Sequence, residues 1–277
     1  MIKGLKSLKN VEISDIIKVF ILRMFPELKL NIKFKNNKLV KINFNEFRYI
    51  CGVIENGFNI LDAVNDGIVF QFYGYKLLVP FSKLKWMPGV LHKGSPYWKL
   101  NNLKEKVVLD VGGFIGETAI FFLSKGARKV IVVEPIKENV DILLKNLQIN
   151  GFLNNVIIID EGLANYDGYL EVSYNNFGAD FGREIGSNKI KIKVRNINYF
   201  LSFKPDIAKF NCEGCEKSIL YADTDYIKSI NEWFIQTHEE GLENEIKHLM
   251  LKLGFALIEE YRHQTKSSIW TLHFKWI

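Results

Sequence analysis

The sequence predicts an α/β protein, a mostly parallel sheet covered by helices on both faces and preceded by a small α+β region. Three observations predict it. From Lys106 onward, short apolar runs alternate with stretches of helical period, and strands buried on both faces read as continuous apolar runs. The first run leads into a glycine-rich turn, Asp110-Val-Gly-Gly-Phe-Ile-Gly116, of the kind that opens a helix against a ligand. Before residue 95 the texture differs, with short runs broken by Asn and Gly, the mark of strands joined by turns.

Residues 14–25, SDIIKVFILRMF, read as a helix with Ser14 as N-cap and with Ile17, Phe20, Ile21 and Met24 at i, i+3, i+4, i+7. Pro26 ends it. It is apolar nearly all round, which predicts burial over a place on a membrane surface. Residues 31–81 read as short strands, NIKF, LVKINF and IVFQFYGYKLLVPF, the last interrupted at Gly74. Pro80, Pro88, Gly89, Gly94 and Pro96 cluster next. They place the boundary between residues 1–95, a substrate or interaction region, and a domain over 96–277.

In that domain VVLDV (107–111) is a buried strand, followed by a helix from about Ile115 to Ser124 with Gly126 as its cap. KVIVVE (129–134) is the second strand. Its helix, about Lys137 to Ile149, carries the stripe Val140, Leu143, Leu144 and Leu147 and stops at Gly151. VIIID (156–160), DIAKFN (206–211), WFIQTH (233–238) and FALIEE (255–260) are the third to sixth strands, with strand-like pieces between the third and fourth. SIWTLHF (268–274) closes the chain.

The 277 residues are 48% hydrophobic and 25% charged, the proportions of a soluble globular protein. No apolar run reaches the roughly 18 residues of a membrane span. Lys3, Lys6 and Lys9 are not followed by the apolar core and cleavage site of a signal peptide, so a cytoplasmic location is expected. Cys51, Cys212 and Cys215 are too few for a disulfide scaffold. The net charge of +6 is uneven: residues 1–50 hold eleven Lys/Arg against four Asp/Glu, a net of +7, and the remainder carries −1. Because the lysines are dispersed, a solvated basic face is favoured over a patch for nucleic acid or anionic lipid.

In sheets of this kind ligands bind at the carboxyl ends of the strands, where the strand order reverses. A dinucleotide fingerprint ending on Gly116 needs glycine at 111, 113 and 116, and position 111 is Val. Asp110 suits a cationic group and repels a pyrophosphate, which favours S-adenosylmethionine, with its ammonium and sulfonium. Gly112, Gly113 and Gly116 let the backbone approach the ligand. Glu134 lies 24 residues after Asp110, where a carboxylate accepts from both ribose hydroxyls. Asp160 and Glu161, ending the third strand, offer an acceptor for the adenine amino group. The competing structural reading is a tight turn with Asp110 capping the helix. The loop, Asp110 and Glu134 together at this spacing favour the cofactor.

Lys209-Phe-Asn-Cys-Glu-Gly-Cys-Glu216 resembles the K-x-D-x-E-G-x-E of the FkbM-like methyltransferase family. Asp110 to Thr118 resembles that family's D-x-G-A-x-x-G-x-T/S, with Gly113 where Ala is usual, and Gln236-Thr-His238 corresponds to its later E-x-H. The resemblance covers about residues 97–277. It implies a Rossmann-like class I methyltransferase fold of seven strands, the last antiparallel. It also implies methyl transfer, usually to an oxygen of a sugar, polyketide or other small molecule. Two positions depart: the family's Asp is Asn211 and its Glu is Gln236, each losing a carboxylate while keeping its shape.

An oxygen acceptor must be positioned and must lose its proton. His238 and Glu213 are the candidate bases, with Asn211 orienting cofactor or acceptor. Glu216 shares a helical face with Glu213 if a helix begins there, and reads equally as a carboxylate on a helix dipole. His238 read structurally is a hydrogen-bonded core histidine. Cys212-x-x-Cys215 invites a metal or redox reading. With no second Cys pair a zinc site is unsupported, so no metal is expected and buried cysteines flanking a glycine are favoured. The expected activity is S-adenosylmethionine-dependent O-methylation of a small-molecule or glycan hydroxyl. A tRNA methyltransferase is the alternative raised by the basic first fifty residues. It is disfavoured because Asn211 is followed by Cys-Glu and not by the Pro-Pro of many amino-group methyltransferases. A cofactor-binding protein without catalysis is the alternative raised by Asn211 and Gln236.

Overall fold

The computed structural model describes residues 6–92, 94–175, 178–180, 188–263 and 269–277. Lys3 and Ser268, named above, lie outside them. The chain divides into two compact units, Met1–His92 and Lys93–Ile277.

The first unit opens with helix α1 (Ile16–Met24) and the antiparallel pair β1 (Leu30–Lys33) and β2 (Leu39–Ile42). Helix α2 (Phe44–Glu55) follows, then the meander β3 (Asn59–Val64), β4 (Gly67–Phe72) and β5 (Tyr75–Pro80), and the short α3 (Met87–Val90). Helix α2 corrects the reading of residues 31–81 as strands alone. Its start is a capping box: Asn43 accepts from the Glu46 backbone N–H (2.9 Å) while Glu46 accepts from that of Asn43 (2.8 Å), two orphan donors satisfied reciprocally. Phe47, Ile50 and Val53 form its buried face. Helix α1 departs from expectation in another way. It starts after a 3-10 turn with no side-chain cap, so Ser14 is not its N-cap. Val19 and Leu22 are buried, while Ile17, Phe20 and Met24 of the expected stripe are exposed.

The second unit runs β6 (Val107–Val111), α4 (Glu117–Ser124), β7 (Lys129–Val133), α5 (Lys137–Gln148) and β8 (Val156–Ile159). After β9 (Gly162–Ala164), β10 (Gly168–Asn175), β11 (Gly178–Asp180) and β12 (Asn188–Asn196), which form a four-stranded sheet, come α6 (Ile197–Leu201) and β13 (Ile207–Phe210). Helix α7 (Thr224–Lys228), β14 (Glu232–Thr237), α8 (Leu242–Lys252), β15 (Phe255–Arg262) and β16 (Trp270–Trp276) complete it. The central seven-stranded sheet has the order β15-β16-β14-β13-β6-β7-β8, with β16 antiparallel to both neighbours. This is the α/β, mostly parallel sheet that the sequence predicts. Its strands bury Leu109, Ile131, Phe210, Trp233 and Ile235, as continuous apolar runs require. On α5 the buried face takes Val140, Leu143 and Leu147 but leaves Leu144 38% exposed, so the stripe is narrower than the periodicity implied.

The chain leaves β6 toward β7 and β8, then returns to the other side of β6 through β13. The order therefore reverses between β6 and β13, and the crevice for a ligand opens at their carboxyl ends.

Candidate active site

Strands β6 and β13 are in register, with Asp110 opposite Lys209 and Val111 opposite Phe210. The Lys209 ammonium lies 2.8 Å from Asp110 Oδ1 and donates to the Gly112 carbonyl (2.8 Å), and Thr118 Oγ1 donates to Asp110 Oδ2 (2.5 Å). Both charged side chains are essentially fully buried. Burial opposes the charge on Lys209, yet Asp110 beside it holds the ammonium above its usual pKa. The cationic group beside Asp110 within the fold is Lys209, and the pair anchors the glycine loop. Lys209 is the residue the sequence reading left without a role. A lysine inside the apolar run IAKF demands a buried counter-charge, and that signal was available.

The glycine loop is dictated by close approach. Gly112 has φ +79°, and a Cβ there would stand 1.9 Å from the Asn211 carbonyl oxygen, so no other residue fits between the ends of β6 and β13. A Cβ on Gly113 would stand 2.1 Å from Val132 Cγ1. The valine occupies the space that the family's usual alanine needs.

Glu134 follows β7 directly. Its carboxylate accepts from the backbone N–H groups of Phe114 (2.9 Å) and Ile136 (3.0 Å) and from Asn139 Nδ2 (3.2 Å). It thereby fastens the glycine loop to the start of α5. Burial pushes its pKa up to about 7 despite these bonds. Glu117, at the first turn of α4, is also buried and is raised by burial to about 8. Among the described residues no group hydrogen-bonds Glu117 Oε2 or Asn211 Oδ1. At the end of β8 the expected pair separates. Asp160 is exposed. Glu161 is held by Arg195, which donates from both Nε and Nη2, and by Lys193 (2.7 Å), and these cations lower its pKa. Glu161 thus ties the third strand to β12, and its oxygens are committed to those cations.

The segment after β13 forms the other wall. Glu216 is fully buried, and its two oxygens accept from the Cys212 and Gly214 backbone N–H groups, each at 2.8 Å. Glu213 sits in this turn at φ +56° and is half-exposed. No α-helix begins at Glu213; a 3-10 turn, Cys215–Tyr221, follows it. Cys212 and Cys215 are joined by a disulfide. This corrects the reading of them as buried cysteines alone. Among the described residues no three His, Cys, Asp or Glu cluster in a way that could hold a metal.

His238, just beyond β14, joins the two carboxylates. Its Nδ1 lies 3.0 Å from Glu216 and its Nε2 3.3 Å from Glu213, with the Gln236 amide 3.1 Å from Nε2. Burial opposes a charge on the ring, but Glu216 and Glu213 outweigh it and lift its pKa to about 10. At neutral pH His238 is therefore an imidazolium between two carboxylates. Thr271 Oγ1, opposite Gln236 across the β14–β16 pair, is 3.3 Å from the amide oxygen and in turn 3.0 Å from His263 Nε2. Asn211, Glu213, Glu216 and His238 thus line the carboxyl ends of β13 and β14.

A doubly flanked parallel sheet with a glycine loop after its first strand and an acidic residue after its second is the arrangement of Rossmann-like methyltransferases. The model of the methyltransferase FkbM domain matches residues 110–264, more than half of the chain, and the protein belongs to that family. Among solved structures, the methyltransferase FkbM from Methylobacillus flagellatus is 18% identical over 82% of this chain, with a TM-score of 0.48. This chain covers 59% of its length. TYW2 of M. jannaschii in complex with AdoMet is 18% identical over 79% of this chain and 90% of its own, with a TM-score of 0.45. TrmK of M. capricolum with S-adenosyl-homocysteine is 12% identical over 66% of this chain and 67% of its own, with a TM-score of 0.41. No curated protein matches the sequence. No helix among the described residues is long and apolar enough to cross a membrane.

Proposed function

We propose that the second unit transfers a methyl group from S-adenosylmethionine to a hydroxyl oxygen of a small molecule or glycan. The observation that carries this is the Glu213–His238–Glu216 cluster, set beside the glycine loop at the reversal point of the sheet. The residues present fit the cofactor: Glu134 keeps one lone pair, on Oε2, for a ribose hydroxyl, Asp160 is open to the adenine amino group, and Asn211 Oδ1 is an unmet acceptor beside the loop. Asp110 and Lys209 act through the loop they anchor. When bound, the cofactor supplies an electrophilic methyl on sulfonium, so the chain has only to orient an acceptor in line and take its proton. Glu213 is the group suited to take it, being half-exposed and 3.3 Å from His238. His238 is the fixed counter-cation, and Glu216 locks its ring. Asn211 and Gln236 keep reach without charge, which leaves no carboxylate pair for a divalent cation at those two positions.

The test is incubation with methyl-labelled cofactor and panels of hydroxylated glycans, hydroxylated small molecules and tRNA. A methyl ether on a hydroxylated acceptor is expected, with Glu213→Gln lowering kcat by about 10²-fold or more and leaving S-adenosylhomocysteine affinity unchanged. A site-specific mark on tRNA would refute the acceptor class. Activity gained only in the Asn211→Asp, Gln236→Glu double variant would show a binding protein in place of an enzyme.

A further inference from the structure

Helix α1 and the 3-10 turn before it present two apolar faces. One, with Val19 and Leu22, is buried. The other points to solvent: Ile13 is 83% exposed, Ile17 71%, Phe20 46% and Met24 67%, and Phe25 (61%) and Leu28 (41%) continue it past the helix end. The spacing of four, three and four residues places the first four on one stripe over three turns. Single exposed apolar residues are ordinary, but a stripe of four, with two more exposed apolar residues just past the helix, marks a surface with an occupant. We infer that this face seats the protein on an anionic lipid bilayer. The charge around it selects that occupant: residues 1–50 carry +7, against −1 for the rest of the chain. Lys18 and Arg23 flank the stripe, and exposed Lys9, Lys33 and Lys35 lie in the same unit. Within residues 1–50 the carboxylates are few. Asp15 is turned inward and paired with Lys18 at 2.8 Å, Glu46 pairs with Lys29 at 3.1 Å, and Glu12 and Glu27 are the others. A second copy on the same face would bring two basic regions together. A nucleic acid would take the charge and leave the stripe in water. An anionic bilayer takes both, the side chains at the acyl boundary and the cations among the phosphates.

The experiment is flotation of the full chain with vesicles of neutral phosphatidylcholine and with vesicles doped with phosphatidylglycerol. Binding to the doped vesicles is expected, weaker by about tenfold or more on neutral ones, and largely lost near 1 M salt, where the Debye length is about 3 Å. The triple variant Ile17→Glu, Phe20→Glu, Met24→Glu, with far-ultraviolet dichroism to show that it folds, should lose that binding. A Phe20→Trp variant should show a blue-shifted emission with the doped vesicles only. No flotation with either vesicle, equal flotation of the triple variant, or a dimer in light scattering that the triple variant abolishes would each overturn the inference.

Discussion

At the scale of single residues the site is a set of buried titratable groups whose protonation is fixed by burial at Glu134 and Glu117 and by carboxylate partners at His238. Glu134 is held near 7 by burial, and a ribose hydroxyl donates best to the ionised form. S-adenosylhomocysteine affinity should therefore rise with pH up to about 7 and level off above, by about tenfold between pH 6 and 8. Glu134→Gln should flatten that profile and weaken binding at pH 8 by about 1.5–3 kcal/mol; titration calorimetry at several pH values checks both. His238 gives a second pH dependence. Its pKa is raised from 6.5 unfolded to about 10 folded. The stability it contributes is complete below about 6.5 and is lost as pH rises through about 10. Glu117, raised from 4.5 to about 8, works in the same direction, because the folded chain keeps a proton that the unfolded chain releases. Urea midpoints should fall from pH 6 to pH 10, and less steeply in His238→Asn.

At the scale of elements the fold depends on a few turns that admit one residue type. Gly112→Ala would drive a methyl into the Asn211 carbonyl at a positive φ. It should cost about 3 kcal/mol or more and abolish cofactor binding, read by thermal unfolding with and without S-adenosylhomocysteine. Asn43→Ala removes one half of the α2 capping box and should cost about 1 kcal/mol with cofactor affinity untouched. The disulfide brackets Glu213 and Gly214. In protein kept without reductant, alkylation should leave Cys212 and Cys215 unmodified and reach Cys51 only on unfolding, since it is fully buried.

At the scale of the whole molecule, the second unit contains the sheet, the glycine loop and the carboxylate–histidine cluster within residues 93–277. We propose that it folds and binds cofactor alone and that the first unit serves the acceptor or a partner. Residues 93–277 expressed alone should bind S-adenosylhomocysteine within about threefold of the full chain, roughly 0.7 kcal/mol, while methyl transfer falls. Full activity in that fragment would assign the acceptor site to the second unit.

The strands of the parallel sheet, the glycine loop and the carboxylates at the strand ends were legible in the sequence, because apolar runs and helical stripes are local patterns and the loop follows its strand directly, whereas the order of the strands in the sheet came only with the fold. Helix α2 was legible too, through Asn43 and Glu46, but β-rich surroundings masked its capping box. What each carboxylate meets was not legible. Asp110 finds Lys209 across 99 positions of sequence, Glu161 finds Arg195 and His238 finds Glu216, pairings created only when parallel strands come into register. The two faces of α1 tell the same lesson from outside. Composition says the helix is apolar all round, but only packing decides that Val19 and Leu22 turn inward while Ile17, Phe20 and Met24 stay in water. The sequence determined which groups had to be buried or bound, since their chemistry is local. The tertiary structure decided which partner each one reached, since distance and dielectric are properties of the folded chain.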